Sequence, residues 1–219
     1  MKDKSNYNTV NMLNSVKELP FFTIAQIKNL LGDDKNVFFN LSRWENKGYV
    51  IRLKKGLYTT KIFLDSTDRM LFMEFIANKL INNSYLSGTY ILGKYGILTE
   101  IADTFTSITT NLPRQINNKL GKYSYNNIKD DLFCDFISSK YLDDFIYYAP
   151  VYKALFDYFY FRKSTFIFSD DYVNSLRFNW GNITDEEMNK FIKFCELKNL
   201  VKMTKIAKYL ILHKNNHVN

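Results

Sequence analysis

The chain has 219 residues, of which 46% are hydrophobic and 17% aromatic, and its formal net charge is +8 at pH 7. This composition excludes a broadly disordered chain, because so much apolar surface can be buried in cores. The length allows one large domain or two small ones. A basic balance favours anionic partners such as nucleic acid or an acidic membrane surface.

The cysteine and histidine usage argues against metal and disulfide chemistry. Cys134 and Cys195 lie far apart, and both histidines lie near the carboxyl terminus. This pattern predicts no zinc site, no disulfide framework and no cofactor. No apolar run approaches the ~20 residues of a membrane span, and the first residues contain no apolar signal core. We therefore expect a cytoplasmic protein with no membrane partner.

The first sixty residues predict three helices followed by a hairpin. The first predicted helix, "TVNMLNSVKEL", stops at Pro20, and the second begins after Thr23 and stops at Gly32. The third spans about residues 35–47, and its apolar positions Val37, Leu41 and Trp44 recur at helical spacing. The segment "YVIRLKKGLYTT" alternates as two strands around a tight turn. This order is typical of a winged helix-turn-helix.

A polar stripe on the third predicted helix indicates DNA recognition. Asparagine can bond adenine edges and arginine can bond guanine edges, whereas lysine and arginine neutralise phosphates. We predict that the helix lies in a major groove and that the basic hairpin contacts the backbone. The predicted base-reading residues are Asn36, Asn40 and Arg43. The predicted phosphate-binding residues are Lys35, Lys47, Arg52, Lys54 and Lys55.

The charge distribution supports this interpretation. Residues 35–61 contain seven basic residues against the single acid Glu45, so this stretch carries +6 of the chain's +8. Two other interpretations stay open. A charged hairpin and a polar helix face are also common on ordinary solvated surfaces, and many winged helices contact only proteins.

Beyond residue 62 the pattern changes to mixed helices and strands. The segment "DRMLFMEFIANKL" predicts a helix, "FTSITT", "KYSYNNI" and "DFIYYA" predict strands, and "PVYKALFDYFYF" predicts a helix that opens with proline. Thr184 and Glu187 have capping-box spacing at the start of another helix, and a last helix spans about residues 200–212. We expect an α+β protein with a winged helix-turn-helix at 1–62 and a mixed domain at 63–219.

Four segments in this order resemble the AbiEi-type antitoxins of type IV, or abortive-infection, toxin–antitoxin systems. They are "WENKGYVIRLKKGLYTT", "FIANKLINNSYLSGTYILGKYGIL", "YYAPVYKALFDYFYFR" and "LRFNWGNITDEEMNKFIKFCELKNLVKMTKIAKYLI". The likeness runs from about residue 10 to 212. Two departures stand out: Tyr152 replaces the glutamate that usually precedes the lysine of Pro-x-x-Lys-Ala, and Gly88-Thr89 replaces a frequent Ser-Ala pair.

The resemblance implies a repressor of its own operon whose winged helix binds operator repeats in double-stranded DNA. It also implies a neighbouring gene for a nucleotidyltransferase-like toxin and a carboxy-terminal domain associated with antitoxicity. Neutralisation in such systems need not involve a stable complex. The alternative is a protein-interaction module that neutralises a toxin by direct binding without DNA. The oligomeric state stays open.

Catalytic motifs are absent from the sequence, and we expect a protein that is not an enzyme. An enzyme that modifies nucleotides or the toxin is a further alternative that stays open. Neither GxGxxG nor a Walker A sequence occurs, and no histidine lies near the serines Ser84 and Ser87. Lys153 and Asp157 stand one helical turn apart among apolar residues, which favours a structural ion pair over a functional site. Lys198, Lys202 and Lys205 form a basic face that we interpret as solvated rather than phosphate-binding.

Overall fold

A computed structural model of the chain describes residues 13–31, 37–100 and 103–217. The chain divides into two compact units. The first comprises Met1–Ile76 with Ile116–Gly121, and the second comprises Ala77–Gln115 with Lys122–Asn219. Helices and two β-sheets together make the protein α+β, which confirms the predicted class.

The first unit combines short helices with a three-stranded sheet. Its sheet has the strand order β1-β3-β2, and both pairings are antiparallel. The described elements in chain order are α1 (13–16), β1 (Phe22–Thr23), α2 (Ile24–Leu31), α3 (Val37–Asn46), β2 (Val50–Lys54), β3 (Leu57–Thr60), α4 (Lys61–Ser66) and the first part of α5 (Arg69–Leu80).

One apolar cluster holds these elements together. The cluster draws on the helices and on all three strands, and its buried members are Val16, Phe22, Ile27, Val37, Leu41, Trp44, Val50 and Tyr58. Two local hydrogen bonds fix the start of α2. The backbone amide of Gln26 donates to the Thr23 hydroxyl, and the backbone amide of Thr23 donates to the side-chain oxygen of Gln26 at 2.8 Å. The predicted N-cap at Thr23 is therefore confirmed, in the reciprocal form of a capping box.

The division between the units falls later than residue 62, where the sequence placed it. Helix α4 follows β3 directly, since the Thr60 hydroxyl accepts the Phe63 amide at 3.0 Å and caps the helix. The Phe63 ring packs on Phe72, and Phe75 packs on Phe21. These ring contacts join α4 and the first part of α5 to the first unit, so its boundary lies at Ile76.

The second unit contains the larger sheet apart from Ile116 and Asn117, the last two residues of strand β6, which belong to the first unit. The strand order of this sheet is β6-β7-β5-β4-β9-β8, in which β4 runs parallel to β9 and antiparallel to β5. The strands are β4 (Ser84–Leu86), β5 (Thr104–Thr109), β6 (Arg114–Asn117), β7 (Lys122–Asn127), β8 (Ile137–Tyr141) and β9 (Asp144–Tyr148). The helices are α6 (Gly88–Lys94), α7 (Val151–Phe161), α8 (Asp170–Ser175), α9 (Asp185–Leu197) and α10 (Val201–His217).

The helices of this unit pack in a chain of neighbours. Helix α7 contacts α6 and α9, and α9 contacts α10. Thr184 caps α9 as predicted, because its hydroxyl accepts the Glu187 amide at 3.2 Å. The carboxylate of Glu187 does not close the capping box. It accepts the Tyr152 amide at 2.6 Å instead, which satisfies a donor in the first turn of α7.

Strands β6 and β8 and the short helices α4 and α8 were not predicted. Strands β6 and β8 form the two edges of the larger sheet, and their side chains are mostly exposed. An exposed edge strand lacks the apolar alternation on which strand prediction depends. None of the helices in the described part of the chain is long and apolar enough to span a membrane.

Gly56 should be required for the turn of the β2–β3 hairpin. Its φ is +81°, and a Cβ at this position would meet no atom within 4 Å, so the cost of a side chain is backbone strain alone. We expect Gly56→Ala to lower the free energy of unfolding of the first unit by about 1–2 kcal/mol. Gly56→Asn should cost less, because asparagine tolerates this conformation better.

Urea denaturation of a Trp180→Phe background measures this effect. The chain has two tryptophans, so the fluorescence then reports on Trp44 in the core of the first unit. Equal losses for the alanine and asparagine variants would contradict the strain argument.

Candidate nucleic-acid interface

Helix α3 presents one buried face and one exposed face. Val37, Leu41 and Trp44 are buried in the core of the first unit. Successive helical residues point about 100° apart, so the opposite face runs through Phe39, Ser42 and Asn46. All three side chains are exposed. This outward line is the part of α3 that a groove-bound ligand would meet first.

The recognition residues predicted from the sequence do not coincide with the outward line. They were predicted from residue polarity, whereas the outward line is set by the direction of burial. The signal was present, since the spacing of Val37, Leu41 and Trp44 already defines the opposite face. The stripe that the sequence proposed lies on one flank of α3. On that flank Asn40 and Arg43 are half-buried, and Lys47 is exposed just beyond the helix end. Lys35 and Asn36 lie outside the described residues.

Arg43 and Lys47 line a groove in the first unit. The groove has a volume of about 530 Å³, and its other walls include Leu13, Trp44, Tyr49 and Ile62. The Nε atom of Arg43 is buried. Any contact between Arg43 and a base edge therefore has to be made by the outer nitrogens of its guanidinium group. Whether Arg43 reads a base stays a prediction.

Three of the residues that were predicted to bind phosphate lie on the β2–β3 hairpin. Arg52 lies opposite Tyr58 and Lys54 lies opposite Leu57, with a register shift between them. Lys55 and Gly56 form the turn. Arg52 and Lys55 are exposed, whereas Lys54 is half-buried. The hairpin thus holds two cations in solvent at its tip and along one edge.

The exposed cations have no acidic partner within the part of the chain that the structure describes. Lys47, Arg52 and Lys55 form no ion pair there, whereas Lys61 pairs with Asp65 at 3.1 Å. Exposed charges with no counter-charge keep their full attraction for a polyanion. They lie on one hairpin and at one helix end of the same unit.

A distant loop supports the hairpin. The side-chain amide of Asn118 donates to the Leu53 carbonyl at 3.0 Å, and both residues belong to the first unit. The side-chain oxygen Oδ1 of Asn118 accepts the backbone amides of Leu120 and Gly121, which holds that loop closed. Sequence reasoning could not find this support, because Asn118 lies 65 residues from Leu53 and has no motif around it.

Comparison with known proteins adds no family to these observations. No protein-family model matches the chain, and no curated protein matches it.

The second unit contains the charged pair that the sequence singled out. Lys153 Nζ lies 2.6 Å from Asp157 Oδ1, and the two side chains are 0% and 1% exposed. Ser87 donates to Asp157 Oδ2 at 2.6 Å and Tyr85 donates to the same oxygen at 3.1 Å. The Lys153 ammonium also lies over the Phe156 ring, 4.8 Å from its centroid. The arrangement is a fully buried ion pair with its hydrogen-bond partners in place.

The electrostatics of this network favour a structural role. Burial raises the pKa of Asp157, and Lys153, Ser87 and Tyr85 oppose that rise. Burial and the neighbouring Asp157 carboxylate raise the pKa of the Tyr85 hydroxyl. Because both charges are closed to solvent, no solute can reach them in this conformation. The network joins α7 to β4 and to Ser87, which precedes α6.

Other groups with chemical potential are held in structural positions. Burial raises the pKa of the Cys195 thiol to about 12, which makes it a poor nucleophile at neutral pH. No group of three histidine, cysteine or acidic residues within the described ranges could hold a metal ion. Of the predicted basic face, Lys198 donates to the Asp131 carbonyl, whereas Lys202 and Lys205 are exposed.

Breaking the buried pair should destabilise the second unit strongly. Lys153→Met leaves the Asp157 carboxylate buried without its counter-charge, and we expect the free energy of unfolding to fall by about 3–5 kcal/mol. Urea denaturation in a Trp44→Phe background, which reports on Trp180, measures the change. Lys190→Met removes the cation of the exposed Glu186–Lys190 pair and should leave stability nearly unchanged. Similar losses for the two variants would contradict the structural role of Lys153.

Proposed function

We propose that the first unit is a winged helix-turn-helix that binds double-stranded DNA. The observation that carries the proposal is the β2–β3 hairpin, whose exposed Arg52 and Lys55 have no acidic partner among the described residues. The hairpin follows α3 directly, and α3 exposes a face that the core does not use. In a winged helix, α3 would enter the major groove and the hairpin would lie along the backbone.

The charge distribution supports DNA over other anionic partners. Five of the seven basic residues in 35–61, which are Arg43, Lys47, Arg52, Lys54 and Lys55, lie on α3, just beyond its end or on the hairpin of one compact unit. A polyanion gains from such an array, because each neutralised phosphate releases condensed counterions. A small anion could contact only one or two of these cations, so the rest of the array would not contribute to its binding.

We further propose that the protein represses its own toxin–antitoxin operon and acts as the antitoxin. This step rests on the resemblance to AbiEi-type antitoxins, whose partner is a nucleotidyltransferase-like toxin. The first unit would bind operator repeats, and the second unit would serve antitoxicity. Two of the four segments that carry the resemblance meet in the buried network, one through Tyr85 and Ser87 and the other through Lys153 and Asp157.

A protein-interaction module is the second candidate. Leu197 and Val201, where α9 and α10 adjoin, are 80% and 69% exposed. Exposed apolar side chains of this size are typical of surfaces that bind another protein. In that case the second unit would bind a toxin directly and the basic hairpin would have no ligand.

DNA from upstream of the gene should bind more tightly than a scrambled duplex of the same composition. Fluorescence anisotropy across a salt series measures both affinities, and we expect the native duplex to be preferred and affinity to fall steeply as salt rises. Equal, weak binding to both duplexes would reject an operator-reading role. Toxin binding that salt does not affect, with no DNA binding, would favour the second candidate.

The hairpin cations should act on all DNA alike. Arg52→Ala and Lys55→Ala should each weaken binding to the native and the scrambled duplex equally. Each should also reduce the slope of log affinity against log salt concentration by about one. Lys140→Ala, at an exposed lysine of β8 in the second unit, is the matched control and should change neither quantity. A loss confined to the native duplex would show that the hairpin reads sequence rather than phosphate.

Arg43 should contribute to the preference for the native duplex over the scrambled duplex. If its outer nitrogens bond a guanine edge, Arg43→Ala should reduce the preference for the native duplex by about 1–3 kcal/mol. Arg43→Lys should behave similarly, because lysine keeps the charge and loses the two-pronged contact. Equal losses on native and scrambled DNA would reject base reading by Arg43.

A further inference from the structure

Two phenylalanines in the first turn of α3 are exposed. Phe38 is 61% exposed and Phe39 is 67% exposed. Neither ring can join the core of the first unit, because Val37, Leu41 and Trp44 already occupy the buried face and adjacent residues point about 100° apart. The sequence assigned no function to either residue. Two large apolar rings on an exposed helix face indicate a ligand that covers them.

The unpaired cations of the same unit indicate the kind of ligand. Lys47, Arg52 and Lys55 are exposed and form no ion pair among the described residues. A polyanion that also offers apolar groups would complement both the cations and the rings. On the base edges of the major groove, the apolar group is the 5-methyl of thymine, and phenylalanine is among the side chains that contact it.

We propose that Phe39 contacts thymine 5-methyl groups in the major groove, with Phe38 beside it. This inference rests on the proposed function, and it makes Phe39 a residue that determines sequence preference. The first turn of a recognition helix is the part whose side chains contact base edges. Ser42 and Asn46 continue the line of Phe39 along α3, so hydrogen bonds to neighbouring bases accompany the methyl contact.

Replacement of single thymines by uracil tests the proposal. The exchange removes the 5-methyl group and leaves every hydrogen-bonding group of the base in place. The probe is the duplex from upstream of the gene, with each thymine of the bound region replaced in turn. We expect one or more positions at which the wild-type protein loses about fourfold in affinity, the effect of one buried methyl group.

The same duplexes measured with Phe39→Ala form a double-mutant cycle. At the sensitive positions, the uracil exchange should no longer change the affinity of Phe39→Ala. Phe39→Leu keeps an apolar side chain and should retain part of the discrimination. Phe145→Ala removes an exposed phenylalanine of the second unit and should behave as the wild type does. Trp44 fluorescence confirms that each variant keeps the first unit folded.

The outcomes separate this inference from the proposed function. A preference for native over scrambled DNA that no uracil exchange changes would overturn the methyl contact and leave the repressor role in place. An equal uracil effect in wild type and Phe39→Ala would also overturn it. No preference for native DNA would reject the proposed function, and the inference would fail with it. Unchanged DNA affinity of Phe39→Ala, together with the loss of a dimer in light scattering, would assign the rings to a protein interface and overturn the proposal.

Discussion

The ion pair between Lys153 and Asp157 is the strongest physical constraint in the second unit, because both charges are buried. Removing both charges from water is costly, and the cost is offset only when Asp157 receives Lys153 on one oxygen and Ser87 and Tyr85 on the other. The network joins helix α7 to Tyr85 of β4 and to Ser87. Helix α7 also contacts α6 and α9, and α9 contacts α10, so the network lies at one end of a chain of packed helices.

In the first unit, the contrasting charges are exposed cations that lie outside the core. Its core is an apolar cluster, and Lys47, Arg52 and Lys55 stay in solvent with no acidic partner in the described part of the chain. The buried pair has both charges satisfied within the unit, whereas the exposed cations keep their attraction for an anion. This contrast is the physical argument behind the proposal that the first unit binds DNA.

Local patterns predicted the parts of the fold that local physics controls. The apolar spacing in α3, the caps at Thr23 and Thr184 and the hairpin around Gly56 depend on residues within one or two turns, and the structure contains each of them. Strands β6 and β8 escaped prediction because they are exposed sheet edges without apolar alternation. The boundary at Ile76 escaped prediction because ring contacts such as Phe63 with Phe72 and Phe21 with Phe75 became evident only in three dimensions.

The sequence by itself determined the α+β class, the basic hairpin and the helix before it, because composition, period and turn residues act locally. The apolar spacing of α3 also defines its outward face, whereas tertiary structure alone decided what surrounds its flank. The buried positions Val37, Leu41 and Trp44 orient the helix, which leaves Phe39, Ser42 and Asn46 outward and brings Arg43 against a groove. Only the tertiary structure shows that Asn118 donates a hydrogen bond to the hairpin and that Ser87 and Tyr85 donate hydrogen bonds to Asp157. Those contacts join residues about 65 to 72 positions apart, a separation at which no sequence period reports contact.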